Sequence, residues 1–399
     1  MTGGTRSVSA GPGRAPSGAG QSGLSLIELM IALALGAFLV LAVVSVFLAN
    51  KDAARRENSL ARLQETGRFA LDRIRADIHR AQYLGCNTGE VFLVDMIDDP
   101  NAAGFHPAFN GLRGYEREGN GAWRAAPPVT DLPPAVRRAQ NARGGGGARH
   151  GSDVLSVRMA KRLHAREPGT ALLAAAVLPS STAVSINDNP DCAIKQGSRV
   201  VLTGCALTAH RFRVSNAPTC SARRRSNPAT LEFAAPANAT NRIDIPYDTS
   251  AELLLFEEAV WFVKDTGRDR QGQDVWALFR QVNEGRPQEM IEGVEHMQIR
   301  FGQRVRASDS IRYVDPSDAE LNALDNYEGA ISVRVALLVQ SFERVRNGDD
   351  ERTYVLIDEP VPGPGGAAPA GAQGALHASG PVQRGVFTST VTLRNAPAF

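Results

Sequence analysis

Lysine is scarce in this chain. Lys51, Lys161, Lys195 and Lys264 are the only four among 44 basic residues, which leaves 40 arginines. Guanidinium forks suit carboxylates and phosphates, but these are spread over the whole length, and they read as compositional bias. There is no excess of either sign: 44 − 42 gives a net charge of +2, which argues against a global polyanion-binding surface. The densest basic cluster, Arg223-Arg224-Arg225, has no interleaved aromatics for base stacking and reads as a solvated loop, so no nucleic-acid partner is expected. Catalytic signatures are missing as well. The seven histidines stand singly, and the chain has no HExxH, G-x-S-x-G or phosphate-binding loop. Asp265, Asp269 and Asp274 miss the spacing of an EF-hand. No enzyme, cofactor or metal is expected. The four cysteines, Cys86, Cys192, Cys205 and Cys220, form no CxxC and are too widely spaced for a zinc site. In an exported chain they would make two disulfides, with three pairings open.

What is present is concentrated at the N-terminus. Residues 1–22 are mostly Gly, Ser, Ala, Thr and Pro with Arg6 and Arg14, and have nothing apolar to bury. From Leu24 to Ala49 the composition inverts to LSLIELMIALALGAFLVLAVVSVFLA. As a helix this run would span about 39 Å at ~1.5 Å per residue, enough to cross a bilayer. Its length excludes a cleaved secretory signal core. Its one charge is Glu28, and a carboxylate in a membrane helix costs on the order of 2.5–3.5 kcal/mol, so it marks function and needs a partner. No Lys, Arg or His lies in the segment; a cleavage that freed an α-amino group would supply the missing cation.

Gly23-Leu24-Ser25-Leu26-Ile27-Glu28-Leu29 resembles the class III leader of type IV pilins and pseudopilins. The resemblance implies cleavage after Gly23 by a prepilin peptidase, methylation of the new N-terminal Leu24, and pairing of Glu28 with the amine of a neighbouring subunit during assembly. Leu24 stands where phenylalanine is commonest, and Ser25 where threonine is usual. Residues 1–23 would be the cytoplasmic leader and 24–50 the transmembrane assembly helix. Counting basic residues would orient the span the other way, since Lys51, Arg55, Arg56 and Arg62 outnumber Arg6 and Arg14; the leader, which the export machinery reads, takes precedence.

Residues 51–84 continue as an amphipathic stalk. Leu60, Leu63, Gly67, Leu71, Ile74, Ile78 and Ala81 form one apolar stripe, no proline interrupts residues 24–84, and Gly85 reads as the stop. Beyond it the period changes to two, predicting strands around Met297–Phe301 and Ile331–Val339. Further strands are expected near 153–159, 199–203, 253–264, 275–281, 353–357 and 386–394. The segments flanking Asp265 to Asp274 read as a hairpin with a long polar loop. The fold class is therefore α+β: one long N-terminal helix packed on a β-rich head at 85–399.

Tyr83-Leu84-Gly85-Cys86, Gly151-Ser152-Asp153-Val154-Leu155-Ser156-Val157-Arg158, Ile291-Glu292-Gly293-Val294-Glu295, Val333–Val339 and Thr390–Asn395, in this order behind the leader, resemble PilW-like minor pilins. That resemblance implies a structural subunit that helps initiate a type IV pilus and sits near its tip. It would be held in the inner membrane by one pass, with the head in the periplasm, before it joins the fimbrium. Its partners would be prepilin peptidase, the major and other minor pilins, the inner-membrane assembly platform and membrane lipid. Two other readings share the leader or the anchor: a type II secretion pseudopilin of the J type, and a membrane-anchored adhesive protein that never polymerises.

Overall fold

The computed structural model describes residues 25–83, 85, 92–97, 111–124, 129, 132–140, 146–204, 208–221, 226–270, 272–305, 310–323, 329–345, 348–366 and 376–395. The chain divides into two compact units, Met1–Arg55 and Arg56–Phe399. Helix α1 (Leu26–Ile78) begins in the first and ends in the second.

The helix stops six residues before the stalk was expected to end. Arg80 and Ala81 donate to Asp77 and Ile78 in a tightened last turn, and Gln82 takes a left-handed φ of 61°. The backbone leaves the helix because a strand offers it partners: Gln82 N–H donates to the Arg158 carbonyl at 3.3 Å, and Ala81 bridges to Met159.

Among the described residues, two main sheets build the second unit. The first has eight strands: β1 (Phe92–Asp95), β2 (Leu112–Tyr115), β3 (Val154–Arg162), β5 (Arg199–Thr203), β6 (Thr208–Arg213), β8 (Glu252–Arg270), β9 (Gln273–Val282) and β10 (Gln288–Glu292). Their order is β1-β6-β5-β8-β3-β2, with β9 joined to β8 and β10 to β9. Strand β8 serves several partners along its length, pairing with β5 at its start, β3 in its middle and β9 towards its end. The second sheet has the order β12-β11-β13-β16, from β11 (Val294–Val305), β12 (Ser310–Val314), β13 (Ala330–Arg344) and β16 (Val382–Thr392). Two small pairs are also formed among the described residues: β4 (Ala183–Ile186) with β7 (Ala229–Glu232), and β14 (Tyr354–Leu356) with β15 (Glu359–Val361). The fold is α+β.

The β8–β9 hairpin differs from its expected form. Asp269 pairs with Asp274 and Arg270 with Gln273, so the strands run almost to the turn and leave no long loop. The polar residues are used there: Asp265 Oδ1 accepts the Gly267 N–H and Asp269 Oδ1 the Gly272 N–H, both at 2.9 Å.

The two sheets are stapled by Gly151-Ser152-Asp153. Met297 N–H donates to Ser152 Oγ at 3.0 Å, Asp153 N–H donates to the Met297 carbonyl at 2.8 Å, and Ile299 N–H donates to Asp153 Oδ2 at 2.9 Å. Around this junction lies the main core. Leu63, Ala70, Leu71, Ile74 and Ile78 of α1 pack with Leu155, Val157, Trp261, Met297, Ile299, Val333, Val335 and Val391. A second cluster includes Phe212, Phe233 and Leu231. A disulfide joins Cys192 and Cys220, whose Cα atoms are 5.7 Å apart. Cys192 therefore pairs with Cys220 and not with Cys205; Cys86 and Cys205 lie outside the described residues.

Candidate functional site: the assembly helix and its seat in the head

Ser25 opens α1 as its N-cap. The Glu28 N–H donates to Ser25 Oγ at 3.2 Å, and the Leu29 N–H makes the first helical bond to the Ser25 carbonyl at 3.1 Å. Ser25-Leu26-Ile27-Glu28 has the spacing of a capping box, a signal that was readable but not used. It sets Glu28 in the first turn, where the N–H dipoles favour a negative charge. Among the described residues, none pairs with the Glu28 carboxylate. Gly23 and Leu24 lie outside the described residues.

Around Glu28 the first unit is apolar on every side. Leu26, Ile27, Met30, Leu33, Phe38, Leu41 and Phe47 are all exposed. No part of the most apolar stretch is buried, and α1 is long enough to cross a membrane. Burying such a surface requires lipid or other apolar helices, because water would be left against it.

Within the second unit the same helix is held by four kinds of contact. Its stripe is buried as expected at Leu63, Gly67, Leu71, Ile74, Ile78 and Ala81, while Leu60 is exposed. Gly67 has a specific reason: a Cβ there would overlap the Phe387 ring of β16. Asp77 is buried on the same stripe and accepts from Trp261 Nε1 at 2.9 Å and Arg280 Nε at 2.7 Å, tying the helix to β8 and β9. Arg75 reaches Ser389 Oγ at 2.8 Å, and Arg62 meets Glu343 at 2.9 Å. Sequence reading passed over Asp77, although it stands seven residues after Ala70 and so faces the core.

The head carries other buried charges. Arg384, Glu295 and Asp350 are fully buried together, with Arg384 Nε 2.9 Å from Glu295 Oε2. Arg149 stacks on Trp276 at 3.9 Å and donates to the Glu295 and Leu376 carbonyls; burial lowers its pKa to about 10. These pairs use their hydrogen bonds in cross-strand ties, and nucleophile-and-base geometry is not formed by them. Arg223-Arg224-Arg225 lies outside the described residues.

A capped apolar helix with one acid in its first turn, continuing into a seat on a β-rich head, fits a membrane-anchored subunit of the pilin kind. A model of the prokaryotic N-terminal methylation motif matches residues 18–44, and the family of type IV pilus-assembly protein W matches residues 267–395. Together the two matches support a PilW-like type IV minor pilin. The second match runs from the end of β8 through β16 and contains the 291–295, 333–339 and 390–395 segments; 83–86 and 151–158 fall outside it. No curated protein and no solved structure matches the chain.

Proposed function

We propose that this protein is a non-catalytic minor pilin that helps initiate a type IV pilus and stays near its tip. Cleavage after Gly23 would free the Leu24 amine for methylation. Glu28 would then neutralise the amine of an adjacent subunit as the helices pack in hydrocarbon. The observation that carries this reading is Glu28 itself: a capped, first-turn carboxylate on an otherwise apolar, uncovered helix. In a low-dielectric medium such a charge needs a partner of opposite sign, and residues 18–44 match a motif whose processing creates one. The leader would remain cytoplasmic and the head would face the periplasm. A head unit as large as Arg56–Phe399 on a single helix favours a terminal position over a repeated one in a packed shaft.

The test is a deletion strain complemented with Glu28→Ala and, separately, Gly23→Val. Gly23→Val should leave the leader uncut by mass and terminal sequencing, because a branched side chain crowds the scissile position. Glu28→Ala should be cut normally, stay in the membrane, lose most surface pili and co-purify poorly with other minor pilins. Normal piliation by a processed Glu28→Ala protein would remove Glu28 from assembly. Loss of secreted enzymes with normal twitching in the deletion strain would move the subunit to a type II secretion pseudopilus.

A further inference from the structure

The second unit has a cleft of about 460 Å³ where α1 has ended, β3 runs out and the chain leaves β16. Its lining is basic. Arg80 comes from the turn after α1, Lys161 and Arg162 from the last residues of β3, and Arg394 from the segment after β16. Arg162 is answered by Glu252 at 2.8 Å. Arg80, Lys161 and Arg394 are exposed, and among the described residues their side chains have no ion pair and no hydrogen bond. Glu257 of β8 is the one acid in the lining, and it is unpaired as well. Three unpaired cations against one carboxylate leave two positive charges in excess.

The backbone of the cleft is incomplete in its own way, independently of the charges. β2 pairs with β3 only over Val154–Val157, and the bridge from Ala81 reaches only Met159. On its other side β3 is paired with β8 through Arg162. Arg158 turns its N–H and C=O away from β8, to the Gly111 carbonyl and the Gln82 N–H. Backbone groups alternate along a strand, so Arg162 turns its own the same way. Among the described residues no strand receives them. Below the cations, Met159 and Ala160 are buried and Tyr83 is half-buried, which makes an apolar floor. His79, also in the lining, has its Nδ1 shielded from water and without a hydrogen-bond partner. Burial, and then the positive charges of Arg394 and Arg75, lower the pKa of His79, as expected beside cations without counter-charges.

We propose that this cleft binds an acidic peptide, laid in extended form beside the end of β3. Guanidinium forks such as Arg80 and Arg394 donate paired hydrogen bonds to carboxylates, and Lys161 adds a point charge. The Arg162 backbone offers one N–H and one C=O to the peptide main chain, as in strand addition to a sheet edge. The chemistry favours a peptide over a nucleic acid. A phosphate backbone would make no use of an open strand edge, and Glu257 would repel it. The volume also suits a few residues and not a long polyanion. The inference goes beyond the role of Glu28 and does not depend on it, since every lining residue belongs to the second unit.

The experiment uses the full chain in detergent and two fluorescent peptides of equal length, one alternating glutamate with valine and one alternating glutamine with valine. Anisotropy should show saturable binding of the glutamate peptide that weakens with added salt, and at least about tenfold weaker binding of the glutamine peptide. Arg394→Ala and Lys161→Ala alter exposed side chains and should leave the head's melting temperature unchanged. Each should nonetheless weaken binding about fivefold. Glu257→Gln removes the opposing acid and should tighten binding, a gain that no misfolded variant imitates. Lys195→Ala changes an exposed lysine outside the cleft and should bind as the wild type does. The proposal is overturned if the wild-type chain does not bind the glutamate peptide at millimolar concentration, or binds the glutamine peptide equally well. It is equally overturned if folded Arg394→Ala and Lys161→Ala proteins bind as the wild type does. An oligothymidylate of equal charge that displaced the peptide would also overturn it, by showing a general polyanion surface.

Discussion

Residues 26–55 and 56–78 belong to one unbroken helix, yet they are written for different surroundings. In the first stretch Leu26, Phe38 and Phe47 are exposed at 78%, 72% and 65%; in the second Leu63, Ile74 and Ile78 are at 3%, 1% and 0%. The first is apolar all round and the second apolar on one stripe, which is the difference between a helix for hydrocarbon and a helix for one protein face. Each half carries a carboxylate inside its apolar surface. Asp77 has its partners within the chain, from Trp261 and Arg280, whereas Glu28 has none among the described residues. Helix formation is common to both. What separates them is where the partners come from: the second half is completed by its own head, and the first is left for membrane and neighbouring subunits.

The largest effect expected from breaking this comparison is at Asp77. Asp77→Ala leaves the Trp261 N–H and the Arg280 guanidinium without their acceptor, at a cost of about 3 kcal/mol. Denaturant unfolding of the head, followed by tryptophan fluorescence, should report it. Asp77→Asn keeps one acceptor oxygen and should cost less. Neither change should affect processing at the N-terminus, so a cut but unstable protein is the expected phenotype, the reverse of Glu28→Ala.

The paired glycines sharpen the contrast with a smaller effect. Gly67→Ala forces the Phe387 ring aside and should destabilise the head by about 1–2 kcal/mol, partly offset by the better helix propensity of alanine. Gly36→Ala meets nothing within 4 Å and should leave the head's melting temperature unchanged. If Gly36→Ala nonetheless reduced piliation, Gly36 would mark a close helix–helix approach in the filament.

How much of this was legible follows from the range of each signal. The apolar run, the leader and the stalk stripe are local patterns of composition and period, and they lead directly to α1 and to Leu63, Ile74 and Ile78. Alternation likewise finds β3, β5, β8, β9, β11, β13 and β16. The end of the helix was misplaced because Gln82 bonds to Arg158, a partner that no neighbouring residue announces. Spacing places Gly67 in the stripe, but not the Phe387 ring it packs against, which lies far away in sequence. The Cys192–Cys220 pairing joins positions 28 residues apart, so spacing could not rank it. Ser25 is the exception, a local cap that the familiar leader pattern obscured.

The smallest predicted effect is one of acidity, and it should separate the two halves again. Residues 26–55 contain no histidine, whereas the head buries His296 completely in β11. Its Nε2 faces the Leu376 carbonyl at 3.0 Å, and Arg149 and His377 are the charged or titratable groups beside it. Burial first, and then the positive charge of Arg149, push its pKa well below the ordinary value, so the folded head holds it neutral. The unfolded chain takes up a proton near pH 6.5 that the folded one refuses. Stability from this group is therefore full above about pH 6.5 and falls as the pH drops below it, by up to about 1.4 kcal/mol per pH unit. Asp153, Glu116 and Glu359 act in the opposite sense, since burial raises them and the folded head gains protons there at lower pH. His296→Gln keeps a donor for Leu376 and removes the titration, so the difference between variant and wild type isolates the histidine. Denaturant unfolding at several values between pH 5 and 7.5 should give a shallower dependence in His296→Gln, with the helicity of residues 26–55 unaffected. Identical slopes in the two proteins would show that His296 takes its proton without opening the head.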